Sequence, residues 1–140
     1  MLRPDVTIAS LHERQQGTLP GLFGLTVTEL AEGRLLAEFK LQDWMRAPNG
    51  FLHAASVITL ADSCCGYACR AHLPDGAKGF TTIELKSNFL GTALDGTIRC
   101  IAEAEHLGRT TQVWSAVVTG PAEQGSRKMA LFRCTQMVLW

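Results

Sequence analysis

A chain of 140 residues is long enough to bury a core of its own and short enough to form one domain, so a single domain over 1–140 is expected. Apolar residues make up 46% of it and charged residues 19%, which excludes an intrinsically disordered chain. Thirteen Lys and Arg balance thirteen Asp and Glu with no basic cluster, so nucleic acid is not an expected partner.

The opening Met-Leu-Arg-Pro-Asp soon reaches Gln15 and Gln16 and lacks the apolar stretch of a signal peptide. Five cysteines, at 64, 65, 69, 100 and 134, form no CxxC pair and read as reduced thiols. A cytoplasmic location and no membrane association are therefore expected. Cys65 and Cys69 share a helix face that could hold a metal, but they form no CxxC pair. Core thiols and no metal are the expectation.

In chain order, residues 5–16 carry a weakly amphipathic pattern that ends at Gly17 and Pro20, which predicts a lead-in helix within residues 1–20. Leu22–Thr28 and Arg34–Leu41 favour strands, with Glu32-Gly33 as the turn of a hairpin. Residues 42–52 hold Pro48, Asn49 and Gly50 and predict a loop. From His53 to Leu73 the chain has no Pro, one Gly, and apolar or small residues nearly all round, the pattern of a helix buried on most faces. It is no convincing membrane span, because Asp62 stands at its centre among Ser56, Thr59 and Ser63. Strands are predicted at 80–90, 97–106, 110–119 and 128–139, with Ile98, Cys100, Ala102 and Ala104 alternating on one face of the second. A helix buried on most sides needs a sheet large enough to curl around it, here six strands in a mostly antiparallel meander.

Asp62 is the most informative residue. A carboxylate inside an apolar helix costs several kcal/mol to bury unless something satisfies or uses it. By itself it reads equally as a functional carboxylate or as a helix Asp bonded to a neighbouring Ser or to a partner's arginine. His53, at the loop-to-helix junction before Ala54-Ala55, either caps the helix or marks a start whose free N–H groups bind an anion or polarise an oxygen. Nine residues separate His53 from Asp62, about 13.5 Å along a helix and on its opposite side. One chain cannot bring both to one atom, so if both serve one reaction the site joins the helix start of one subunit to Asp62 of another.

The stretch Asn49-Gly50-Phe51-Leu52-His53-Ala54-Ala55-Ser56-Val57-Ile58-Thr59-Leu60-Ala61-Asp62 resembles the Asn/Gln…Gly-x-x-His-Gly-Gly-x-x-x-x-Leu-Ala-Asp/Glu motif of hotdog acyl-CoA thioesterases of the phenylacetate-pathway (PaaI) type. Thr82 to Leu90 resembles that family's strand after the helix, and His106-Leu107-Gly108-Arg109-Thr110-Thr111 its Gly-Lys/Arg-Thr turn. The resemblance implies an α+β hotdog fold, with a curled, mostly antiparallel sheet wrapped around the long central helix, and hydrolysis of an acyl-CoA thioester. It further implies Asp62 as nucleophile or general base, the Ala54 N–H at the His53 junction polarising the carbonyl, and Thr82 positioning water. Phe89 and residues 106–111 would meet the coenzyme A moiety, where Arg109 suits a phosphate. Coenzyme A would enter as part of the substrate, with no separate cofactor, and the enzyme would be a homo-oligomer, a dimer or a dimer of dimers (a homotetramer), with sites at the subunit interface.

Two departures stand out. Gly-Gly after the histidine is Ala54-Ala55, and the amide six residues before it is Ala47, for which Asn49 is the candidate replacement. A weakly catalytic acyl-CoA-binding protein and a hotdog hydratase or dehydratase are the alternatives; the nine-residue spacing favours the thioesterase. The acyl pocket is expected to draw on residues such as Phe23, Trp44, Phe51, Tyr67 and Phe89.

Overall fold

A computed structural model describes residues 1–140. Helix α1 (Ile8–Arg14) starts where the Thr7 side chain accepts the Ser10 N–H and Ser10 Oγ accepts the Thr7 N–H, a reciprocal cap that fixes the lead-in. Strands β1 (Thr26–Ala31) and β2 (Arg34–Lys40) form the expected hairpin, and Gly33 takes the left-handed turn position (φ 71°). The first strand begins later than the sequence predicts. Leu19–Leu22 is instead a helical turn, α2, because Pro20 sits in its first turn, where a missing N–H does no harm, and Gly24 (φ 66°) breaks the chain before Leu25. The 42–52 loop contains a 3-10 turn, Asp43–Met45, and an isolated bridge between Arg46 and Leu52.

Helix α3 (Ala54–Ala71) is the central element, with His53 as its cap rather than its first residue. It buries Val57, Leu60, Ala61, Cys64, Cys65, Ala68 and Cys69, while Ile58, Thr59, Asp62, Ser63, Tyr67 and Arg70 remain half-buried on the other face. Small residues let the sheet approach closely; a Cβ at Gly66 would stand 3.3 Å from the Phe80 ring. All five cysteines are free and buried in this core, and no group of His, Cys, Asp and Glu could hold a metal ion. No helix is long and apolar enough to cross a membrane.

Strands β3 (Gly79–Phe89), β4 (Thr97–Leu107), β5 (Thr111–Thr119) and β6 (Lys128–Leu139) complete one six-stranded sheet. Every pairing is antiparallel, but the order is β1-β2-β4-β5-β6-β3 and not a meander. After α3 the chain enters at the far edge, and the 90–96 connection carries it back to pair β4 with β2. The pairs Leu35↔Ala102, Ala37↔Cys100 and Phe39↔Ile98 face the helix, and all six residues are buried. The alternation read in β4 is therefore the concave face of the curl. At the far end of α3, His72 ties helix to hairpin: its Nδ1–H donates to the Ala68 carbonyl (2.7 Å) and its Nε2 accepts the Gly33 N–H (2.8 Å).

Candidate active site

The N–H groups of His53, Ala54, Ala55 and Ser56, at the start of α3, have no carbonyl partners four residues back in the helix, and the structure shows what takes each. His53 donates to the Met45 carbonyl, Ser56 to the His53 carbonyl, and Ala55 to His53 Nδ1 at 2.9 Å. Only the Ala54 N–H makes no hydrogen bond. His53 is thus the cap of the helix, with Nδ1 as the accepting nitrogen. The helix start offers one free donor, at Ala54, not several. That donor opens on a cavity of about 380 Å³ whose wall includes Ala47, Asn49, His53, Ala54 and Phe89. Asn49 Oδ1 accepts the Phe51 N–H at 3.2 Å, which shapes the turn, and leaves its side-chain N–H groups uncommitted.

Asp62 lies outside that cavity. Ala54 and Asp62 are eight residues apart, about 12 Å along the helix axis. Asp62 Oδ1 is buried and accepts no hydrogen bond. Burial pushes its carboxyl above the ordinary carboxylate range, and the Thr82 hydroxyl, which faces it, would lower it only by turning its proton to Asp62. The Thr82 proton itself goes to Gln136 Oε1, at 2.8 Å. A half-buried carboxylate with an empty oxygen is set to take a proton from a neighbouring water or to attack an electrophile.

The 106–111 turn is a third location. It closes the β4–β5 hairpin near the last residues of α3, where Leu107, Gly108 and Arg109 share a cavity of about 410 Å³ with His72–Asp75. The Gly108 N–H donates to the Thr111 carbonyl at 2.9 Å, and a Cβ there would stand only 2.8 Å from that carbonyl oxygen, a backbone atom that cannot swing aside as the His106 ring can, which favours glycine. The Arg109 guanidinium sits 4.9 Å from the Trp140 ring centroid, a cation–π contact that leaves its N–H groups free for an anion. Phe89, grouped with this turn from the sequence, lies instead beside the helix start.

Within one chain the structure therefore gathers His53, Ala54, Asn49 and Phe89 at one place, Asp62 and Thr82 at a second, and 106–111 at a third. Phe23 and Trp44 stack edge to face (4.8 Å) and Trp44 is 60% exposed, neither lining the helix-start cavity. Tyr67 is bonded to Gln15 Oε1, which commits it to the α1 contact. Gln136, which holds Thr82, was not singled out in the sequence; a polar residue at an inward position of β6 is the one signal that could have found it.

A sequence model of the thioesterase superfamily matches residues 49–123, just over half of the chain and the whole stretch from Asn49 through the helix to β5. A 1,4-dihydroxy-2-naphthoyl-CoA hydrolase from Listeria monocytogenes is 24% identical over 112 residues, covering 80% of this chain and 88% of that protein. Among solved structures, a mutant of the thioesterase PA1618 from Pseudomonas aeruginosa superposes with a TM-score of 0.90 at 25% identity, over 99% of this chain and 97% of that one. The PaaI protein of the Escherichia coli phenylacetic acid degradation operon superposes with a TM-score of 0.79 over 96% and 97% of the two chains; at 18% identity that likeness is one of fold.

Proposed function

From the premise that the chain belongs to the thioesterase superfamily and has the hotdog fold, which makes it a thioester hydrolase, we propose that its substrate is an acyl-coenzyme A, cleaved to the free acid and coenzyme A with Asp62 at the centre of the chemistry. The observation that carries this is the empty, buried Oδ1 of Asp62 on the open face of α3. An unsatisfied carboxylate oxygen is costly in a folded protein and is tolerated where it acts.

The Ala54 N–H is the donor suited to a thioester oxygen, since it is the one free N–H at a helix start and adds the positive end of the helix dipole. Asn49 is the candidate amide beside it, and Thr82 faces the water that Asp62 would activate. Residues 106–111 supply the coenzyme A contact, with Arg109 on a phosphate.

The separation along α3 makes this a shared site: helix start from one subunit, Asp62 and Thr82 from another. The open edge of the sheet supports the same assembly. Strand β3 is an outer strand of eleven residues with Ile83 (54%) and Phe89 (46%) exposed, an edge that a second copy of the chain would cover. Asp62, Thr82 and Phe89 lie on or against that strand, so pairing there would bring two sites together. A homo-oligomer in the cytoplasm, where five free thiols stay reduced, completes the proposal.

Steady-state hydrolysis across a panel of acyl-CoA esters tests it. Turnover of at least one ester, lost in Asp62→Asn, is the expected result; ligand-induced thermal stabilisation with no turnover on any ester would make the chain a binder instead.

A further inference from the structure

Beneath α3 the floor of the sheet is mostly apolar, and three polar residues line up across it. Thr82 on β3, Gln136 on β6 and Gln112 on β5 stand at one register across three neighbouring strands, and both glutamines are completely buried. Gln112 has a structural explanation: its Nε2 donates to the His72 carbonyl (2.8 Å) and its Oε1 accepts from the Trp114 indole (3.0 Å). Gln136 has none of that kind. Its Nε2 reaches only the Cys134 sulfur, at 3.3 Å, a weak acceptor, and its Oε1 accepts the Thr82 hydroxyl proton at 2.8 Å. A buried carboxamide leaning on a thiol is a poor way to fill space that Leu or Met would fill without a polar burden. What it does achieve is to fix the direction of one hydroxyl.

A hydroxyl has one proton. With that proton on Gln136, Thr82 presents only lone pairs toward Asp62, whose own Oδ1 receives no bond. A water in contact with both meets two acceptors and no donor. It must give one O–H to the carboxylate and the other to Thr82, which turns its lone pair away from both and toward an incoming carbonyl carbon.

We infer that Gln136 is a positioning residue for the hydrolysis: by holding Thr82 as an acceptor it orients the attacking water, and Asp62 works as general base. This rests on the function proposed above. The water oxygen adds to the thioester carbonyl carbon as one of its protons passes to the Asp62 carboxylate. The tetrahedral species then collapses, the C–S bond breaks with its electron pair on sulfur, and the thiolate takes the proton from Asp62. The products are the acid and the coenzyme A thiol, and Asp62 is again ionised.

Without Gln136 the Thr82 proton turns to Asp62 Oδ1, occupies the base and leaves the water one acceptor short. The test is a double-mutant cycle on a hydrolysed acyl-CoA ester, with Gln136→Met and Thr82→Val singly and together. Gln136→Met is expected to lower kcat about tenfold, less than the roughly 10²-fold of losing the general base outright because Asp62 itself remains, with KM changed less than about twofold. In the Thr82→Val background it should add nothing, because the group it orients is gone. An unchanged kcat in Gln136→Met, or the same tenfold loss on top of Thr82→Val, overturns the inference. Gln136→Glu, which keeps an acceptor oxygen at that place, should stay within about threefold of the wild type; a fall to the level of the Met variant also overturns it. If Gln136→Met does not fold by circular dichroism and sizing, Gln136→Leu replaces it and the Glu arm still decides. Failure of the underlying function is separately visible as full turnover in Asp62→Asn.

Discussion

Replacing Asp62 by Asn should move activity and stability in opposite directions. The substitution keeps the shape of the side chain and removes the proton acceptor, so kcat is expected to fall at least about 10²-fold, about 2.7 kcal/mol of barrier. Stability should rise. Oδ1 is buried without a partner, and an unsatisfied buried polar group costs about 1–3 kcal/mol, more when charged. Neutralising it should recover about 1 kcal/mol, roughly 3 °C in Tm for a chain of this size. The sign of the pH dependence follows from the raised carboxyl. A carboxyl whose folded value lies above its unfolded value favours folding in its protonated form, so the wild type loses stability as pH rises through the folded value. The Tm advantage of Asp62→Asn should therefore be present at pH 7–8 and shrink toward pH 4. For activity the ionised form is required, so the acid limb of the wild-type kcat/KM profile should lie above the ordinary carboxylate range. Thermal unfolding across pH together with steady-state kinetics on one hydrolysed ester measures all of this. A folded Asp62→Asn protein that loses Tm at pH 7 and keeps near wild-type turnover would make the carboxylate structural and refute the reasoning.

Two further outcomes follow from the same geometry. Asn49→Ala should lower kcat/KM about tenfold if the side chain replaces the amide missing at Ala47, with only a small loss of Tm from the Phe51 N–H bond; unchanged kcat and KM would leave Asn49 as a turn residue. His72 is buried with both nitrogens committed, and burial holds its imidazole below the ordinary value of 6.5. Its folded value being the lower, the contribution to stability is complete above pH 6.5 and declines as pH falls below it. Urea midpoints at pH 7.5 and 5.5 should therefore separate more in the wild type than in His72→Gln, and equal separations would show that His72 does not carry the effect.

The buried helix was legible because Ala, Ser, Cys and Leu from 54 to 71 leave no polar face long enough for solvent, and Asp62 stood out against that background. Strand β4 was legible because one of its faces packs on the helix and the other does not. The late start of β1 was hidden, since Leu22 and Phe23 suit a strand locally while Pro20 and Gly24 decide the backbone. The place of β3 at the far edge was hidden for another reason: nothing local distinguishes a strand that pairs with its neighbour in sequence from one that crosses the sheet. At the site, the His-to-Asp spacing fixed the separation along α3 correctly. Which N–H stays free was decided by the His53 ring, whose Nδ1 takes the Ala55 donor and leaves that of Ala54. The pairing of Thr82 with Gln136, 54 positions apart, depends on a register between β3 and β6 that no local pattern carries.

The central claim is that one reaction uses the helix start of one subunit and Asp62 of another, and subunit exchange tests it most directly. Asp62→Asn lacks the base. Ala54→Pro lacks the one free N–H of the helix start, while proline at the first helical position is tolerated by the backbone. Each homo-oligomer, folded by circular dichroism and sizing, should be inactive. In an equimolar exchange half of the dimers are mixed, and one of the two composite sites in each receives a sound Asp62 and a sound helix start, so about a quarter of wild-type activity should return. Confirmed mixed oligomers that regain nothing, or a monomer that turns over substrate at the full rate, would contradict a shared site.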